Sequence, residues 1–306
     1  MSRALVFPGQ GAQYVGMAAG FATAVPAAGA LLTQADAILG FSLSAVISNG
    51  PEAELTRTDI SQPAILVASL MAYEALKSKV GPIEAAAVGG LSLGEYTALV
   101  AAGALDFADA VKLVRLRGEA MQAAAEAVPS GMVALIGPDE TTAEKLCVAA
   151  RQGEVLQVAN LNATGQVVIS GTKAACDRAI ALAKDHGIRR AMALPVAGAF
   201  HSELMAPAAE RLKAALAATT FRTPRIPVYA NVHAKPVTDA AEIPGLLVRQ
   251  LTNPVRWADS VVAMQVAGIS EFWEIGPNKH LSGMIARTVQ NVTCKNLDKV
   301  EDLAQF

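Results

Sequence analysis

Gly89-Gly90-Leu91-Ser92-Leu93-Gly94-Glu95-Tyr96 stands between a short apolar run, Ile83 to Val88, and a helix-compatible segment, Glu95 to Ala102, that Gly103 stops. A serine between two glycines at a strand-to-helix junction has the G-x-S-x-G pattern of a nucleophile elbow. A turn this tight lifts the Ser92 hydroxyl clear of the sheet, and Gly90 and Gly94 remove side chains that would collide there. The start of the helix leaves free N–H groups beside the serine, with a potential that favours developing negative charge. The pattern alone also arises by chance, so its weight comes from the strand before it and the helix after it.

Outward from the elbow, the chain reads as alternating strands and helices. Ala4 to Phe7 is a strand that runs into Pro8-Gly9-Gln10-Gly11, a sharp turn at the strand end where open α/β sheets place ligands. Ala27 to Leu39 reads as a helix. Ser61-Gln62-Pro63 sets a proline at a first helical position, ahead of a helix from Ala64 to Lys77. Asp106 suits an N-cap for a helix from Phe107 to about Ala125. On a wheel, Lys112, Arg115, Glu119, Gln122 and Glu126 share a solvated side. Arg117 falls instead among Leu113, Val114, Leu116, Met121 and Ala124. An always-charged guanidinium rarely faces a core alone. Either a protein carboxylate pairs with it, or it lines a pocket for an anionic ligand.

From Gly131 the pattern changes. Strands are expected at Met132–Ile136, Val155–Ala159, Gln166–Ser170 and Arg190–Leu194, with helices at Thr142–Ala150 and Ala174–Asp185. That βαββαβ order is the ferredoxin-like arrangement. It divides the chain into a large α/β domain, residues 1–127 and 197–306, and an inserted unit, residues 128–196. Of four histidines, His186 caps a helix end, while His201 lies where the chain re-enters the large domain and suits a cleft between the two units. Ile226–Asn231 and Glu271–Ile275 are further strands, and a helix runs from about Leu281 to Val289.

Composition narrows the class. The 306 residues are 53% hydrophobic and 17% charged, which fits a packed globular protein and not a disordered one. A net charge of −2 gives no basic field for nucleic acid or an anionic membrane. Cys147, Cys176 and Cys294 are odd in number and lack metal-ligand spacing, which suits free thiols in a reducing compartment. No signal region opens the sequence and no apolar span suits a bilayer, so a soluble, cytoplasmic protein is expected.

The ordered set of motifs resembles the malonyl-CoA:acyl carrier protein transacylases of fatty-acid synthesis and the related acyltransferases of polyketide synthesis. It comprises Phe7-Pro8-Gly9-Gln10-Gly11, Gly90-x-Ser92-Leu93-Gly94-Glu95-Tyr96, Arg117, Ala159-Asn160-Leu161-Asn162 with Gln166, His201, Asn231-Val232, Gln250-Leu251 and Glu274-Ile275-Gly276-Pro277. The resemblance covers essentially the whole chain. It implies an α/β-hydrolase-like large domain with a mostly parallel sheet, plus the inserted ferredoxin-like subdomain.

It also implies roles. Ser92 is the nucleophile, His201 its general base, and the backbone carbonyl of Gln250 orients the imidazole in place of an aspartate. The N–H groups of Gln10 and Leu93 form the oxyanion hole. Arg117 holds the free carboxylate of a malonyl group, and Phe200 disfavours an α-methyl branch. Met121, Asn160, Asn162 and Gln62 complete the implied substrate-binding set. Malonyl-CoA and acyl carrier protein are the implied partners of a monomer. Passing thioester to ester to thioester is nearly balanced and calls for no metal or redox cofactor.

One position departs from the pattern: family members usually carry histidine before the nucleophile, and this chain has Leu91. The chemistry is expected to survive, because that histidine is not the base. His280, after Gly276-Pro277-Asn278-Lys279, is a second departure and reads as surface or packing variation. A discrete acyltransferase serving a polyketide synthase fits the same motifs. A serine esterase or thioesterase fits less well: α/β-hydrolases run Ser, Asp or Glu, then a late His, and leave Arg117 and the insertion without a role. A non-catalytic carrier-docking subunit is opposed by Ser92, His201 and Arg117 together. Arg189, Arg190, Arg249, Arg256 and Lys279 are candidate docking charges for an acidic carrier.

Overall fold

A computed structural model describes residues 2–306. The first three strands are β1 (Ser2–Phe7), β2 (Ala87–Gly90) and β3 (Ser130–Ile136); then come β4 (Leu156–Ala163), β5 (Gln166–Thr172) and β6 (Arg190–Ala193). The last four are β7 (Val228–Tyr229), β8 (Pro236–Val237), β9 (Ile269–Ile275) and β10 (Thr293–Leu297). The large sheet has the order β10-β9-β1-β2-β7-β8, parallel except for β8. Alternate residues of β1 point to opposite faces, and both are buried: Leu5 and Phe7 join one core cluster, Ala4 and Val6 another. A parallel sheet covered by helices on both faces requires this.

Residues 130–193 form the second sheet, antiparallel, in the order β4-β5-β3-β6, with the helices Glu140–Arg151 and Lys173–Leu182. That is ferredoxin-like topology, and it has its own core around Leu135, Leu146, Val158 and Ile169. The second sheet is tied to the segment between the helices Ile243–Gln250 and Trp257–Val266, where Asn160 of β4 bridges to Val255, whose N–H donates to the Ala159 carbonyl at 2.9 Å. Among the described residues no helix is long and apolar enough to cross a membrane.

Three expectations need correcting. Pro63 does not start its helix: the helix runs Thr58–Val80 and holds Pro63 inside it. A proline lacks the N–H that would bond the carbonyl four residues back, here Asp59. Arg115 takes that carbonyl instead, donating from Nη1 at 2.8 Å. Arg115 is therefore half-buried and not a freely solvated charge, and it also pairs with the carboxylates of Asp59 and Glu119. The strand expected at Ile226–Asn231 shrinks to Val228–Tyr229, because the chain turns away to build the site at Asn231.

Candidate active site

Strands β1 and β2 are parallel neighbours with Phe7 opposite Gly90, so the loops carrying Gln10 and Ser92 leave adjacent carboxyl ends of the sheet. The elbow is as tight as the sequence demands. A Cβ on Gly90 would sit 2.1 Å from the Gly94 carbonyl carbon, and one on Gly94 would sit 2.2 Å from the Phe7 carbonyl oxygen. Ser92 itself adopts φ 51° and His201 φ 58°, left-handed backbone that costs each about 1–2 kcal/mol. The surrounding hydrogen bonds hold both residues there.

Ser92 Oγ lies 2.8 Å from His201 Nε2, and His201 Nδ1 lies 2.8 Å from the Gln250 carbonyl oxygen. A carbonyl can only accept, so the proton sits on Nδ1 and Nε2 is left free to take the serine proton. His201 is buried, and burial, then the charge of Arg117, pulls its pKa down to about 4 against the opposing pull of the Gln250 carbonyl. The imidazole is thus a neutral base at neutral pH. The N–H groups of Gln10 and Leu93 donate to no protein acceptor among the described residues. The N–H of Ser92, by contrast, is occupied, donating to Asn231 Oδ1 at 2.7 Å.

Arg117 is buried in the helix Phe107–Ala127. Among the described residues no carboxylate forms an ion pair with it, and it is shielded from water. Nη1 donates to Gln62 Oε1 at 2.7 Å, and Nη2 donates to Gln250 Oε1 at 2.9 Å and to Ser92 Oγ at 3.0 Å. Its Nε has no partner among the described residues, and Tyr96 lies beside the guanidinium with its ring centroid 5.7 Å away. Burial pushes its pKa below the usual arginine range. Its hydrogen-bond partners are all neutral: two amide oxygens and the Ser92 hydroxyl.

A cavity of about 460 Å³ opens over Ser92 and His201. Met121, Asn160, Asn162, Phe200 and Gln10 line it. Gln62 does not: it lies fully buried beneath, where Nε2 reaches Met121 Sδ and Oε1 holds Arg117. Asn162 Oδ1 is buried without a donor among the described residues. Leu91 lines the cavity and packs toward the cluster of Val255, Trp257 and Leu281. His280, read from the sequence as surface or packing variation, is exposed and borders the cavity. Arg256, a candidate docking charge, is instead tied to Glu140 and Asp259.

Two residues escaped assignment from sequence. Asn231 accepts from Ser92 N–H and donates to the Gly90 carbonyl at 2.8 Å, bracing the elbow from both sides. Glu95 Oε2 accepts from Gln250 Nε2 at 2.6 Å and from the Asn231 N–H at 3.1 Å. The sequence signals for Glu95 were its place in the elbow motif and its acidic side chain in a mostly apolar helix, Gly94–Ala101.

Comparison with known proteins is consistent along the whole length. The family model for the acyl transferase domain matches residues 4–304. The malonyl CoA-acyl carrier protein transacylase of Escherichia coli (strain K12) is 44% identical over 304 residues, covering 98% of this chain and 97% of that one. An acyl carrier protein S-malonyltransferase from Vibrio cholerae superposes with a TM-score of 0.96 at 41% identity, covering 100% of this chain and 99% of that one. A malonyl-transacylase solved in complex with a type II PKS acyl-carrier protein does so with a TM-score of 0.95 at 40% identity, covering 100% and 98%. With the family model spanning nearly the whole chain and the relatives covered almost end to end, this chain belongs to the acyl transferase domain family.

Proposed function

We propose that this protein transfers the malonyl group of malonyl-CoA to the phosphopantetheine thiol of acyl carrier protein, for fatty-acid synthesis, through an ester on Ser92. The names of its relatives support the substrate pair. The observation that carries the acyl specificity is Arg117, buried, without a carboxylate partner, and 3.0 Å from the nucleophile. A carboxylated acyl group completes that charge where an acetyl group cannot.

In the first half-reaction Ser92 Oγ attacks the thioester carbonyl while its proton passes to His201 Nε2. Negative charge gathers on the former carbonyl oxygen and is met by the free N–H groups of Gln10 and Leu93, each donor worth about 2.7–4 kcal/mol at the transition state. Collapse breaks the C–S bond, and His201 returns the proton to the departing CoA sulfur. In the second half the pantetheine thiol attacks the Ser92 ester by the same route reversed. Asn160 and Asn162 offer amide groups along the cavity for the pantetheine arm.

A type II polyketide carrier is the second reading, favoured by the likeness to the malonyl-transacylase solved with such a partner. Purified protein given malonyl-CoA and a panel of holo-carriers tests both. Malonylated carrier should form with the native protein and not with Ser92→Ala. No transfer to any carrier would refute the assignment.

A further inference from the structure

We propose that Glu95 is a positioning residue of the acyl-transfer site, acting through Asn231 and Gln250 on both the nucleophile and the arginine clamp. The inference rests on the transferase reading for its substrate but not for its geometry. Two relays start at one oxygen of Glu95. In the first, Glu95 Oε2 accepts the backbone N–H of Asn231, whose side chain accepts Ser92 N–H at 2.7 Å and donates to the Gly90 carbonyl. That relay pins the elbow at its left-handed φ of 51°. In the second, Glu95 Oε2 accepts from Gln250 Nε2 at 2.6 Å.

The second relay determines which way the Gln250 amide faces. Arg117 can only donate and Glu95 Oε2 accepts, so the amide turns its oxygen toward Arg117 and its nitrogen toward Glu95. Gln250 Nε2 also reaches the Ser92 carbonyl at 3.1 Å, and Gln250 Oε1 receives Arg117 Nη2 at 2.9 Å. The same residue's backbone carbonyl orients His201. Glu95 therefore fixes the residue that touches serine, base and clamp at once. It is buried, so solvent cannot substitute for these contacts. Neutral residues could have filled the space, but none of the apolar ones supplies an acceptor for both donors.

Three variants separate acceptor geometry from packing. Glu95→Met keeps the length without an acceptor, Glu95→Gln keeps an acceptor at the same reach, and Glu95→Asp keeps the carboxylate but draws it back. Two readouts are taken on folded protein: the rate at which a fluorophosphonate probe labels Ser92, and the ratio of malonyl to acetyl loading from the two CoA esters. Misplacement by about an ångström costs on the order of 100-fold, so Glu95→Met should lose roughly that much in labelling, with a fall in the malonyl-to-acetyl ratio. Glu95→Gln should stay within about fivefold of the native protein on both, because one carbonyl oxygen can accept both N–H groups. Native labelling and selectivity in Glu95→Met, or a loss in Glu95→Gln equal to that in Glu95→Met, would overturn the proposal. If Glu95→Met does not fold, Glu95→Asp decides: a comparable loss supports the relay and native behaviour refutes it. Native protein that labels with the probe yet takes no malonyl group would sink the transferase reading alone, leaving the labelling arm to judge Glu95.

Discussion

Arg117→Ala is the perturbation whose outcome the site geometry specifies most fully. The guanidinium is buried, bonded to two amide oxygens and the nucleophile, and keeps Nε free. A carboxylate bound there gains two charge-assisted hydrogen bonds, about 1.5–3 kcal/mol each, so roughly 3–6 kcal/mol is at stake for a malonyl group. At about 1.4 kcal/mol per decade this is on the order of 10²–10⁴ in kcat/KM for malonyl-CoA. Acetyl-CoA has no carboxylate to lose and forfeits only the support that Arg117 gives Ser92 Oγ and Gln250. Removing the arginine also leaves Gln62 and Gln250 short of a donor, so Arg117→Met, which retains most of the volume, serves as the companion variant. The assay is the rate of Ser92 acylation by each CoA ester, read by intact-protein mass after rapid quench. The malonyl-to-acetyl ratio should collapse by at least about 100-fold in both variants. An unchanged ratio would remove Arg117 from acyl recognition, whatever happened to the absolute rates.

Other outcomes follow from the same geometry. Because burial and Arg117 lower the His201 pKa to about 4 from an ordinary 6.5, the base stays neutral on acidification, and the acid limb of kcat/KM should lie well below pH 6.5. Removing the Arg117 charge should move that limb upward, and an acid limb at an ordinary histidine pKa in the native protein would contradict the burial argument. Phe200→Ala should relax exclusion of methylmalonyl-CoA by about 1–3 kcal/mol, seen as a rise in its kcat/KM relative to malonyl-CoA; an unaltered ratio would absolve Phe200. Arg115→Ala should destabilise the fold by about 1–3 kcal/mol in urea unfolding, since it strands the Asp59 carbonyl that Pro63 leaves unbonded. Adding Pro63→Ala restores an N–H for that carbonyl and should recover part of the loss, while strict additivity would refute the pairing.

The local features were the legible ones. The elbow, β1 and its Gln10 turn, the βαββαβ order and the odd placement of Arg117 each follow from short-range pattern. The resemblance then supplied roles that no pattern could carry, above all Gln250, which acts on His201 through a backbone carbonyl that any residue possesses. What stayed hidden had physical causes. The helix Trp257–Val266 is mostly apolar, so the contrast between its faces is weak. Strand β10 is a sheet edge with polar residues, which blunts the alternation that marks a strand. Pro63 seemed to begin a helix because its missing partner, Arg115, lies 52 residues on (115 − 63). Glu95 was masked by its position: an acidic residue in the first turn ordinarily answers the helix dipole. Only the fold shows it turned inward to Gln250 and Asn231.

The central claim is a malonyl ester on Ser92 that lies on the path to malonylated carrier. Rapid mixing with malonyl-CoA, quenching and peptide mapping would measure its formation, and a chase with holo-acyl carrier protein would measure its decay. Malonyl should appear on Ser92, formed and discharged at least as fast as steady-state turnover, with the label recovered on the carrier thiol. A protein that turns over without malonyl on Ser92, or whose ester discharges to free malonate in preference to the carrier, would contradict it.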